Sequence, residues 1–176
     1  MIDWRTEIDE MSLARRLVQD VDSDGLWRYE VARPPADPGT LRAVAERSGH
    51  PLDSELESFL RHADGWPAVF QNVDLFGTPE LLGAEFDAAL ELVSYLEPEV
   101  LEEAAVERDR LFPIAMSAAS IDVHVMPRVG SESSAPVIWF AGGEVERYDG
   151  FVAFFRALRA RNLKQAERLR RRSSET

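Results

Sequence analysis

The chain has 176 residues, 45% hydrophobic and 30% charged, with no cysteine and a formal net charge of -12. That length and balance fit one soluble domain with a substantial core, and the missing thiols exclude disulfides and thiolate metal sites. No apolar run approaches the ~20 residues of a membrane span, and the polar start at Met1–Glu7 is not a secretory signal, so the expected location is cytoplasmic.

The charge is unevenly placed. Residues 156–172 hold eight basic residues and one acid, Glu167, while residues 1–155 hold twelve basic and thirty acidic ones. An acidic body repels nucleic acid and anionic membranes and attracts basic proteins. The basic end, Arg156 to Arg172, is the sole candidate for nucleic acid. Its plainer reading is a solvated terminal helix that complements its own acidic body.

In chain order, Asp3 predicts the cap of a first helix to about Val18, with Ile8, Met11 and Leu17 among its apolar positions. Asp20-Val21-Asp22-Ser23-Asp24-Gly25 then breaks it. The run has the oxygens of a calcium loop, but the twelfth position is Val31 where a bidentate Glu is required, so it reads as a turn. Leu26–Val31 suggests an extended segment and Arg33–Ala36 a stiff linker. Asp37-Pro38 opens a second helix that buries Leu41, Val44 and Ala45 and stops at Gly49. Leu52–Leu56 opens a third, with Leu56, Phe59 and Leu60 inside, ending at Asp64-Gly65-Trp66.

Val69–Phe76 reads as one short strand. A helix follows from Thr78-Pro79-Glu80 and carries Leu81, Leu82, Phe86, Leu90 and Val93. Glu97–Asp109 is an acidic helix or helical loop. Strands are expected at Leu111–Met116, Ile121–Met126 and Pro136–Phe140, with Ser131–Ser134 a loop. Gly142-Gly143 makes a hairpin to Glu144–Tyr148. Asp149 then caps a last helix whose inner face is Phe151, Phe154, Phe155 and Leu158. Its apolar stripe thins from Arg159, where the helix is expected to fray or project. Helices first, strands after and one closing helix predict an α+β domain.

Three segments together resemble the SUKH superfamily, which contains the fungal Smi/Knr cell-wall regulators and many bacterial immunity proteins. The first is the Phe59-Leu60 helix ending in Asp64-Gly65-Trp66. The second is Leu75-Phe76-Gly77-Thr78-Pro79-Glu80-Leu81. The third is Leu111-Phe112-Pro113-Ile114-Ala115, with Val137-Ile138-Trp139 and Tyr148–Phe155. The similarity spans about residues 37–160, leaving residues 1–36 as an N-terminal helix and linker and 161–176 as a basic tail. One departure is the turn Met116-Ser117-Ala118-Ala119-Ser120, where many relatives have Gly-Asp or Gly-Gly.

The resemblance implies helices on a mostly antiparallel central sheet, closed by a C-terminal helix. It also implies a non-enzymatic role: an immunity-type protein of a bacterium or phage that binds and neutralises a toxin, or alternatively a regulatory scaffold. Asp64, Gly65, Trp66, Gly77, Pro113 and Trp139 are its structural signature. The partner expected is a protein, a basic toxin or effector, with no membrane, no cofactor, and a monomer or weak dimer.

For a partner-binding surface the residues point to Glu97, Glu99, Glu102, Glu103, Glu107 and Asp109. Glu99, Glu102, Glu103 and Glu107 share one face at helical spacing, and the plainer reading is a solvated face. Trp66, which follows a turn, is added as a candidate aromatic anchor, with a core position as its plainer reading. Trp139, in an apolar strand, reads as core. His50, His62 and His124 have no metal-ligand spacing. Ser117, Asp122 and His124 could form a hydrolase triad, but no nucleophile elbow accompanies them.

Overall fold

The computed structural model describes residues 2–128 and 134–174, so the expected loop at Ser131–Ser134 lies, apart from Ser134, outside the described residues. Helix starts follow the acidic caps. Asp3 accepts the Thr6 N–H at the head of α1 (Trp4–Gln19), whose buried face is Trp4, Met11, Ala14 and Val18. Asp37 accepts the Gly39 and Thr40 N–H groups at α2 (Pro38–Ser48), which ends at Gly49 with φ 68°. Asp53 caps α3 (Ser54–Leu60) in the same way. Each cap satisfies donors that the first helical turn leaves unpaired.

After α1, the Asp22 carboxylate accepts the N–H groups of Leu26 and Trp27 and the Tyr29 hydroxyl. The acidic run is thus a tied turn. Leu26–Val31 joins no strand. Arg33–Ala36 is bonded along the end of α3: the Arg33 N–H donates to the Gly65 carbonyl, Asp64 N–H to Pro34, and Ala36 N–H to Leu60.

The single strand expected at Val69–Phe76 is a hairpin, β1 (Trp66–Phe70) and β2 (Val73–Leu75). It turns at Gln71-Asn72, with Gln71 at φ 51°. The turn carries no glycine or proline, so nothing in the sequence marks a break between the two arms. The helix expected from Thr78 to Val93 is two, α4 (Thr78–Leu82) and α5 (Ala84–Ser94). They separate at Gly83, where a Cβ would stand 2.7 Å from the Pro79 carbonyl oxygen.

Then come α6 (Pro98–Glu103), a 3-10 turn at Arg108–Arg110, β3 (Leu111–Ser117), β4 (Val123–Pro127), β5 (Val137–Phe140), β6 (Glu144–Tyr148) and α7 (Phe151–Ser174). Among the described residues the six strands lie in chain order, each antiparallel to the next. The fold is α+β. Val123 to Met126 are all buried, so helices and loops cover both faces of the sheet at β4. The densest part of the core joins Trp4 of α1, Phe59 of α3 and Phe151 and Phe155 of α7, with ring centroids 5.2–5.9 Å apart across elements. Residues before 37 therefore contribute to the same core.

Two expectations for α7 are corrected. Asp149 does not cap it: the helix begins at Phe151, and its Val152 N–H is accepted by Glu55 of α3 at 3.0 Å. Nor does it fray at Arg159. The helix continues to Ser174, with Asn162, Gln165, Ala166 and Leu169 buried. Contacts pair Glu7 with Arg156, Arg15 with Asn162, and Val18 with Ala166 and Leu169, so α1 runs parallel to α7 and covers it. The stripe thins in sequence because its later inner positions are polar or small, and α1 meets them with polar groups. Among the described residues no helix is long and apolar enough to cross a membrane.

Candidate interaction surface

The corner at Asp64-Gly65 meets Gly77-Thr78. The Asp64 carboxylate accepts the Thr78 N–H and hydroxyl, at 2.5 and 2.6 Å. Gly65 takes φ 81°, and a Cβ there would stand 2.3 Å from the Gly77 nitrogen. A Cβ on Gly77 would stand 2.1 Å from the Asp64 carbonyl oxygen. Both positions need glycine because two backbones touch. Glu80 closes the knot, accepting the Gly77 N–H at 2.9 Å and both Arg33 nitrogens at 2.6 and 2.7 Å. Burial opposes the charge of Glu80, but Arg33 and the Gly77 N–H outweigh it and hold the carboxyl below its ordinary range. This knot fastens the end of α3, the hairpin exit and the 33–36 strap.

Trp66, read as a partner anchor, is 1% exposed; it contacts Phe155, and its indole N–H donates to the Glu30 carbonyl. It is a core residue, and no partner reaches it. Pro113 is buried in β3. Trp139 differs from its core reading: it is only half-buried, with its indole N–H donating to Asp122 at 2.6 Å.

The acidic residues Glu97, Glu99, Glu102, Glu103, Glu107 and Asp109 are all exposed, but they do not form one helical face. The α6 helix stops at Glu103. Ala105, at φ 53°, reverses the chain while the Ala105 and Val106 N–H groups close on the carbonyls of Glu102 and Leu101. This is a Schellman closure with alanine where glycine is usual. Without glycine as a stop signal, the sequence reads as a longer helix. The carboxylates instead occupy three sites: Glu97 before α6, Glu99, Glu102 and Glu103 on it, and Glu107 and Asp109 beyond the reversal.

An aromatic side chain stands beside this segment. Tyr95 is 69% exposed at the junction of α5 and α6, its hydroxyl donating to Glu91 at 2.8 Å. The signal for it lay in the helical period. Position 95 falls two residues past buried Val93, on the opposite side of the α5 stripe.

Ser117, Asp122 and His124 do not form a relay. The Asp122 carboxylate accepts from Trp139 and the Ser120 hydroxyl, and Ser117 Oγ accepts the Ala119 N–H. The His124 ring is stacked on Trp139 and tilted against Phe154. Burial pushes its pKa down to about 4; Asp122 opposes the shift and Arg161 adds to it. His124 is thus a neutral core histidine. Among the described residues no three acids or histidines gather to hold a metal ion.

The basic helix divides its charges. Arg156 and Arg159 pair with Glu7, Arg159 also with Glu10, and Arg161 with Glu146. These contacts fasten α7 to α1 and β6. Compared with known proteins, the chain matches no protein-family model and no curated protein closely.

Proposed function

We propose that this chain is a cytoplasmic, non-enzymatic binding protein of the SUKH superfamily, of the immunity type, which occludes the working surface of a basic toxin or effector. The observation that carries the reading is the knot of Asp64-Gly65 with Gly77-Thr78. The reading is also supported by Phe112-Pro113-Ile114-Ala115, which lie in β3 of the antiparallel sheet, and by Phe151, Phe154 and Phe155 on the closing helix. The acidic segment from Glu97 to Asp109 suits electrostatic steering of a basic partner. Tyr95 supplies a rigid aromatic contact of the kind that anchors interfaces.

The test is protection. Basic effectors encoded beside the gene are expressed in cells with and without the chain. Cells with it survive, and the effector co-purifies with it. Tyr95→Ala combined with Glu102→Lys and Glu103→Lys keeps the fold and loses protection. If no candidate effector is bound or neutralised, the immunity reading is wrong and a regulatory scaffold takes its place.

A further inference from the structure

The second half of α7 faces a groove that the pairing with α1 leaves open. It has a volume of about 690 Å³ and lies between α7, the β1–β2 turn and β5. Phe70, Gln71 and Trp139 line one side, and Lys164 and Arg168 the other, with Glu167 the one acid among the described lining residues. Lys164 and Arg168 are four residues apart, so they share one helix face about 6 Å apart along the axis. Alternate side chains of an extended peptide lie about 6.6 Å apart, close to the spacing of that pair.

We propose that this groove docks an acidic, extended segment of a protein partner. Its polarity is opposite to that of the acidic surface at α6, so it is a second interaction surface. Two observations favour a peptide over nucleic acid. Trp139 offers no stacking platform, because His124 stacks on its ring at 5.5 Å and the Arg161 guanidinium lies 5.0 Å over it. Base stacking supplies much of single-strand affinity. The acidic body also repels a long polyanion running past the groove, whereas a short acidic peptide segment stays within a lining in which cations outnumber Glu167.

The experiment uses the full chain with two fluorescent probes of equal charge, hexaglutamate and an oligothymidylate. Anisotropy titrations compare the wild type with K164E/R168E and with R42E/R170E, which changes net charge equally at exposed sites outside the groove. Hexaglutamate binds, binding weakens with salt, the groove reversal costs about tenfold or more, and the control reversal less than about twofold. K164Q/R168Q, with an unchanged unfolding midpoint, falls between wild type and reversal. Absence of hexaglutamate binding, equal losses in the two reversals, or tighter binding of oligothymidylate overturns the proposal.

Discussion

His124 shows how one side chain couples the fold to pH. It sits between Trp139 of β5 and Phe154 of α7, with Asp122 beside it on its own chain segment and Arg161 facing it from α7. Its folded pKa is about 4 against an ordinary 6.5. As pH falls through 6.5 the unfolded chain takes up a proton that the folded chain refuses until about pH 4. Stability is therefore complete above that window and lost across it, by about 3 kcal/mol for a shift of this size. His124→Phe keeps the stacking and removes the proton. Urea unfolding at a series of pH values should show the variant losing about 3 kcal/mol less than wild type between neutral pH and pH ~4. Parallel pH curves for the two proteins would show that the burial of His124 is not what penalises its charge.

At the scale of elements, the pairing of α1 with α7 rests on polar contacts as much as apolar ones. Buried Asn162 donates to the Val69 and Leu158 carbonyls at 3.0 and 3.1 Å and accepts from Arg15 at 3.2 Å. It joins α7 to β1 and α1 at once. Asn162→Ala leaves the Arg15 guanidinium and the Val69 carbonyl short of a partner inside the protein, at a cost of about 2 kcal/mol by chemical unfolding. A loss within a few tenths of zero would mean that this stretch of α7 stands free, as its sequence suggests. Here lies the limit of what the sequence made legible. Acid caps such as Asp37 and Asp53, the Gly49 stop, and the β3–β6 strands follow local rules and are readable. The Gln71-Asn72 turn, the Gly83 break and the Ala105 reversal lack strong local signals and depend on tertiary contacts. The Glu55 carboxylate that caps α7 comes from α3, some hundred residues upstream, where no local pattern reaches it.

As a whole the molecule has two poles, and the candidate surfaces were only partly legible because exposure is a property of the whole. The carboxylates of 97–109 could be found by counting charge. The burial of Trp66 and the exposure of Tyr95 follow from how α5, α6 and the knot at Gly77 are arranged in space. The net charge of -12 also sets a physical test of what the acidic pole is for. Glu102 and Glu103 are exposed at the carboxyl end of α6, where the helix dipole disfavours negative charge, and each also faces the repulsion of the acidic body. If they are kept for a partner, the fold gives up a little stability to hold them. Replacing both with lysine should then raise the unfolding free energy by about 0.5–1 kcal/mol at low salt. The gain should shrink as the Debye length falls from about 30 Å at 0.01 M to about 8 Å at 0.15 M salt. The same E102K/E103K protein should capture a basic partner more slowly, since rim charges act chiefly on association rate. A double variant that is less stable than wild type at every salt concentration would show these carboxylates to be structural, and the acidic pole would then have no claim to be a docking surface.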